Sequence, residues 1–266
     1  MDKYVRLLKT NLDEQAKLMS LEILERVIEY ADEAYYNSDE SVFTDAQYDR
    51  IKEIYEKRSG RQKRDIGATV RGDKKVELPF HLGSMDKMKM GEGQVDKWRE
   101  KYRGPYLVSA KLDGVSALYI KDKDVHKLYT RGDGKVGQDI SFLINDLRLP
   151  DLEDILAVRG EIILSRKVFR ESKYLKQDGN PYENARNTIS GLVNSKPSNY
   201  RKDIADRADF VAYEIITRDR YQQRPSEQIE RLKRGHLKVV EARSCKEISE
   251  ELLSLQFDQF LETLDY

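Results

Sequence analysis

The strongest constraint on this chain is a change in the spacing of its apolar residues near position 75. Before it they recur at helical intervals. In "SLEILERVIEYADEAYY", residues 20–36, Leu21, Leu24, Ile28, Ala31 and Tyr35 follow the i, i+3, i+4 rule. "NSDES" breaks the pattern, and "TDAQYDRIKEIYEKRSG", residues 44–60, restarts it. Thr44 is an N-cap with Gln47 three residues on, as in a capping box. Tyr48, Ile51 and Tyr55 make the inner stripe, and Gly60 is a natural stop. The charged, unpatterned "RQKRDIGATVRGDKK", residues 61–75, reads as a linker.

Beyond it the texture is that of strands. "PYLVSAKL", "VSALYIK", "VHKLYTR", "AVRGEIIL" and "ADFVAYEII" are β-branched and aromatic runs, with "KDKD" as the turn between the second and third. "SRKVFRESKYLKQ", "PSEQIERLKRGH" and "SCKEISEELLSLQF" are expected to be helices, the last opening on a second capping box, Ser244 with Glu247. The expected fold is α+β: a small helical unit over 1–65 and a larger mixed domain with antiparallel sheets over 66–266.

Five stretches could carry chemistry. In "KLDGVSALYIKDKDVHKLYTRGDG", residues 111–134, a hairpin carries Lys111 at one far end and Arg131 at the other. A lysine amine is a nucleophile only when neutral, which requires desolvation or neighbouring cations. Arg131 is such a cation, and Asp113 and Gly114 make a tight turn beside the amine. A surface lysine before an Asp-Gly turn would read the same way. In "VRGEIIL", Glu161 either faces solvent or accepts from a ligand hydroxyl such as a ribose. In "YENARNTISGLVNSK", Arg186 offers a planar fork for phosphate, or is a surface residue on a helix N-terminal turn. In "YYNSDESVFTDAQYDR", Tyr35, Tyr36, Asp45, Tyr48 and Asp49 cluster at a helix–loop–helix joint. They suit a cationic aromatic ring, or serve as core and caps. The methionines of "HLGSMDKMKM" either line a base pocket or pack.

Composition removes several classes. Lys plus Arg and Asp plus Glu are each 48, so the chain lacks the basic excess of a standalone nucleic-acid clamp. The single cysteine, Cys245, excludes an intrachain disulfide and a multi-cysteine zinc site, and His81, His126 and His236 are scattered. With no signal-peptide pattern and no apolar run long enough for a membrane span, the chain reads as cytoplasmic.

In combination and order, these motifs resemble the NAD-dependent DNA ligases of bacteria and some large DNA viruses. "KLDG" resembles the ligase nucleophile motif, and "TRGDGKVGQDI" the Thr-Arg-Gly-Asp-Gly stretch downstream of it. "VRGE" follows, "NARN" resembles Asn-Pro-Arg-Asn, and "YYNSDESVFTDAQYDR" resembles the nicotinamide-binding module that ATP-dependent ligases lack. The resemblance implies a nucleotidyltransferase fold, C-terminally incomplete and preceded by a helical nicotinamide-mononucleotide-binding domain. It implies that Lys111 attacks NAD to form lysyl-AMP, with Asp113 and Arg131 in the catalytic group. Ser84, Met85 and Leu112 would border the adenine, Tyr213 would stack on it, and Glu161 would hold the ribose. Arg131 would hold a phosphate, and Arg186 a phosphate of cofactor or of nicked double-stranded DNA. Tyr35, Tyr36, Asp45, Tyr48 and Asp49 would grip the nicotinamide half. Mg²⁺ is implied as a second cofactor, and the host cytoplasm as the location if the source is a virus. The alternatives are a non-catalytic NAD- or partner-binding module of the same fold, and an ATP-dependent polynucleotide ligase.

The chain also departs from the family pattern. Ser109 stands where Glu is usual, Tyr36 where His is frequent, Ala185 where Pro is usual, and Asn194 where a second DNA-contacting Arg is expected. The sequence stops at "FLETLDY", before the strands that carry two further catalytic lysines in the family. The expectation is that a second subunit or additional domains supply them.

Overall fold

The period change near residue 75 is the boundary between two kinds of packing. In the computed structural model, which describes residues 1–37, 42–60, 75–122, 125–152, 155–176, 178–216 and 223–266, the first part is all helix. Helices α1 (Asp2–Thr10), α2 (Leu12–Leu18), α3 (Leu21–Asn37) and α4 (Asp45–Ser59) enclose their own apolar cluster of Leu8, Ala16, Leu24, Val27, Ile28 and Ile51. Thr44 caps α4 reciprocally with Gln47, at 3.3 and 3.1 Å, and Gly60 ends it in the left-handed region at φ 66°. Arg58 donates to the carbonyls of Ala16 and Met19, both at 2.7 Å, and so satisfies acceptors at the end of α2 that its own helix cannot. Leu21, expected on the buried stripe, is 36% exposed because it opens α3, a turn before the stripe meets α4.

The second part is built on a four-stranded antiparallel sheet in the order β4-β3-β6-β7. Its strands are β3 (Val115–Asp122), β4 (Val125–Thr130), β6 (Ala157–Ile163) and β7 (Asp209–Ile216). Two small ladders accompany it: β1 (Lys75–Glu77) with β5 (Val136–Gln138), and β2 (Tyr106–Ser109) with β8 (Ala242–Cys245). The helices are α5 (Gln94–Lys101), α6 (Arg166–Ser172), α7 (Ala185–Asn194), α8 (Lys202–Ala205), α9 (Pro225–Arg234) and α10 (Glu250–Thr263).

Alternation along the strands splits the sheet into two unlike faces. Ala117, Tyr119, Val158, Ile162 and Phe210 face the main core, with Ile189 and Leu192 from α7 and Leu232 from α9. On the other face Leu118, Ile120 and Tyr129 pack on Leu78 and Leu82. Ser116 pairs with Glu161 and Leu118 with Arg159, so polar residues share this second face. A register shift between Arg159 and Gly160 interrupts pairing with β7.

One local expectation is overturned. "SCKEISEELLSLQF" is not one helix opening on Ser244. Ser244 and Cys245 end β8, opposite Leu107 and Tyr106, and the helix begins at Glu250 under Ser249, whose side chain accepts from Leu252 N. The backbone of β2 needs a ladder partner, and β8 supplies it at the expense of a local cap. The helix expected over 165–177 is also shorter: α6 ends at Ser172, and Lys173 turns left-handed at φ 46°.

Asp146, 8% exposed, locks the connection after β5 to α8. It accepts from Tyr200 OH at 2.6 Å and pairs with Lys202. Burial pushes its carboxyl up, but the bonds from Lys202 and Tyr200 outweigh that and hold it below its usual range. A lowered folded-state value gives stability that is present at neutral pH and lost as pH falls through it. Asp146→Asn should therefore lower the unfolding midpoint at pH 7, and the gap to wild type should close below about pH 4. Denaturant titrations across pH 3 to 7 test this, and a constant gap would refute it.

Candidate active site

The turn Lys111–Leu112–Asp113–Gly114 joins β2 to β3, and its glycine is required by a close approach. A Cβ on Gly114 would lie 2.3 Å from both the Ile162 carbonyl and Ile163 Cγ2, and 2.9 Å from Glu161 Cγ. Only a bare Cα lets the turn cross against β6 next to Glu161. Asn184 caps α7 by accepting from Asn187 N at 2.7 Å, which places Arg186 in the first turn. The largely buried Arg186 guanidinium donates to Asp113 Oδ1 at 3.1 Å and to the Gly114 carbonyl. It thus clamps the turn that presents Lys111, whose side chain is exposed.

The far end of the hairpin is a second tight turn. Gly132 sits at φ 54°, with Val136 O only 1.9 Å from where a Cβ would be. Asp133 Oδ1 accepts from Lys135 N and Val136 N at 2.9 and 2.7 Å. The carbonyls of Gly134 and Lys135 then accept from Leu82 N and Leu78 N. Arg131 N bonds Ser116 O at 2.8 Å, and Arg131 Nη1 donates to Ser84 Oγ at 3.2 Å. The Arg-Gly-Asp-Gly turn therefore returns one cation to the base of β3 and holds the 78–84 strip beside it.

Glu161 is the meeting point. Burial pushes its carboxyl up to about 7, against the positive charges of Arg186, Lys111 and Arg131, while Asp113 adds to the rise. Opposite it on β3, Ser116 Oγ lies 3.0 Å from Tyr213 OH. Burial, then Glu161, pushes the Tyr213 phenol up as well. Leu112 is half-buried against the main core, whereas Met85 is 57% exposed and Ser109 is exposed at the end of β2.

The residues expected at the nicotinamide end form a second group. Tyr48 OH donates to Asp32 Oδ1 at 2.6 Å, and Asp49 pairs with Lys87 at 2.8 Å. Lys87 lies three residues beyond Ser84 and ties this group to the first. Tyr35 and Tyr36 lie on the last turn of α3 and Asp45 opens α4, but their side chains lie outside the described residues. Asn194, where a second Arg was expected, accepts from Gln138 Nε2 at 3.1 Å. Sequence reasoning missed Arg159, Asp32 and Ser116. The available signals were an arginine inside an apolar strand run two residues before Glu161, and an aspartate one helical turn before Tyr36.

A sequence model of the NAD-dependent DNA ligase adenylation domain matches residues 84–263. The DNA ligase of Acanthamoeba polyphaga mimivirus is 39% identical over 226 residues, covering 82% of this chain and 34% of that protein. The DNA ligase of Natronomonas pharaonis is 28% identical over 211 residues, covering 68% of this chain and 30% of its own length. The chain belongs to the NAD-dependent DNA ligase adenylation domain family. It spans about a third of the length of these relatives.

The residues present fit the NAD of this family by their chemistry. Three cations around one half-buried carboxyl suit a diphosphate beside a ribose, and a half-buried tyrosine ring suits a base. Magnesium is usually held by one or two carboxylates together with substrate phosphates. Among the described residues no cluster of three or more His, Cys, Asp or Glu could hold a metal by itself. No described helix is long and apolar enough to cross a membrane.

The Glu161 site makes a signed prediction. Its folded value of about 7 lies above an ordinary carboxylate, so its contribution to stability is full below about pH 4 and is lost as pH rises through 7. Glu161→Gln should gain stability relative to wild type between pH 5 and 8. Parallel melting-temperature profiles for the two proteins would contradict this.

Proposed function

We propose that this chain is the adenylating part of an NAD-dependent DNA ligase. The observation that carries the reading is the Lys111–Gly114 turn packed against Glu161 and clamped by Arg186, beside the Ser116–Tyr213 pair, in a chain of this family. Lys111 Nζ attacks the α-phosphorus of NAD. An N–P bond forms, the P–O bond to nicotinamide mononucleotide breaks, that phosphate leaves with the electron pair, and the amine gives up one proton to solvent. Arg131 neutralises the phosphate, Glu161 accepts from the ribose, and Tyr213 stacks on the adenine, with Ser84, Met85 and Leu112 at its border. Arg186 with Asp113 keeps the Lys111 turn in place and contacts a phosphate of cofactor or nicked DNA. Mg²⁺ held by the cofactor phosphates with Asp113 or Glu161 would spread charge off the transferred group.

Tyr48 and Asp49, with Tyr35, Tyr36 and Asp45, take the nicotinamide half in a helical domain over 1–65. The adenylation domain occupies 66–266. The separate apolar cluster of α1–α4 supports that division. AMP then passes to the 5′-phosphate of nicked double-stranded DNA, and the 3′-hydroxyl displaces it, as DNA replication and repair require. The balanced charge of the chain, 48 against 48, supports a second subunit or further domains as the source of the DNA grip. One cysteine in 266 residues suits the reducing cytoplasm, or the host cytoplasm for a viral protein.

Intact-protein mass spectrometry tests the first step. With NAD and Mg²⁺ the chain should gain one AMP, and Lys111→Ala should gain none. ATP should not replace NAD, and Tyr48→Ala or Asp49→Ala should slow the NAD reaction at least about tenfold. An adduct that persists in Lys111→Ala, or one formed equally from ATP, would sink the assignment.

A further inference from the structure

Arg159 has a set of contacts that the reaction just described does not use. It projects from β6 on the face that carries Ser116 and Glu161, and its side chain is only 11% exposed. Its Nη2 donates to the Gly83 carbonyl at 2.7 Å. Its Cζ lies 5.7 Å from the centroid of the Tyr213 ring. Its ion pair with Glu214 is long, at 3.5 Å, and that carboxylate is 45% exposed. The buried Nε has no hydrogen-bond partner. A buried guanidinium held mainly by one carbonyl and one ring is not explained by ion pairing.

We infer that Arg159 is a positioning residue for the base half of the nucleotide, setting the two borders of the adenine slot against each other. The inference rests on the adenylation reading and deepens it. Beyond Leu82 the strip that borders the slot is held by two arginines in succession. Arg159 takes the carbonyl of Gly83, and Arg131 takes the hydroxyl of Ser84. Tyr213 is held at two points, its hydroxyl by Ser116 and its ring by the Arg159 guanidinium. The planar fork reaches carbonyl and ring together, which a lysine ammonium cannot do. The break in β6–β7 pairing next to Arg159 is where the strand gives up ladder geometry. Arg131 thus serves the phosphate end of the strip and Arg159 the base end.

The test is equilibrium binding of AMP and of nicotinamide mononucleotide to the full chain, followed by lysyl-AMP formation against NAD concentration. Arg159→Met, which keeps an unbranched stem and removes the guanidinium, should weaken AMP binding about tenfold. It should leave nicotinamide mononucleotide binding unchanged, since that ligand lacks the adenine. The NAD concentration for half-maximal adenylation should rise about as much, while the saturating rate stays within about threefold. Arg159→Lys should recover part of the loss. Unchanged AMP binding in Arg159→Met overturns the inference and leaves the adenylation reading standing, as does equal weakening of both ligands, which marks a general loss of structure. A wild-type chain that binds no AMP overturns the adenylation reading itself.

Discussion

The site hangs on the antiparallel pairing of β3 with β6. That register sets Ser116 opposite Glu161 and Leu118 opposite Arg159. A slip of β3 by one residue would carry Ser116 and Leu118 through to the apolar core face and bring Ala117 and Tyr119 out in their place, away from Glu161 and Arg159. The register is held because one face is already filled by Tyr119, Val158, Ile162 and Phe210. Gly114 then lets the Lys111 turn lie directly against the same strand. The nucleophile candidate's turn and the half-buried carboxyl are neighbours through backbone packing, before any side-chain interaction is counted.

Two carboxyls, Asp146 buried and Glu161 half-buried, show how the protein directs electrostatics. Burial pushes both Asp146 and Glu161 up, yet they end on opposite sides of the usual carboxylate range. Asp146 accepts directly from Tyr200 and Lys202, and those bonds outweigh its desolvation. Glu161 is surrounded by cations that act through space, and desolvation wins. The first is a structural lock. The second leaves a carboxyl near neutrality among three cations, which is an arrangement for meeting a ligand that carries both hydroxyls and phosphates.

Among the described residues, the strip from Leu78 to Lys87 is one place where the helical part and the sheet part meet, and α3 against α7 is another. The backbone of 78–82 is anchored by the Arg-Gly-Asp-Gly turn, Gly83 and Ser84 by Arg159 and Arg131, and Lys87 by Asp49 on α4. A segment with little regular structure therefore touches Arg131, Arg159 and Asp49. An exposed ion pair such as Lys87–Asp49 contributes little to stability, so this contact by itself does not fix the two parts together.

The sequence by itself determined which parts are helix and which are sheet, because apolar period and capping residues are local: Thr44 with Gln47, the stripe of Ile51 and Tyr55, and the strand runs around Glu161. It also singled out Lys111 and Arg131 as candidates, because the Asp-Gly and Gly-Asp-Gly turns beside them need particular residues at fixed spacing, and Glu161 as a carboxylate inside a strand run, while Tyr213 entered only through the family resemblance. It did not yield β8, whose pairing with β2 joins residues more than a hundred positions apart and overrides the cap offered by Ser244. It did not yield Arg159, whose partners Gly83 and Tyr213 lie on separate stretches of chain. The clamping of the Lys111 turn by Arg186 escaped it for the same reason. Those features depend on register and on close approach between distant segments, which no local pattern encodes and only the packed sheet decided.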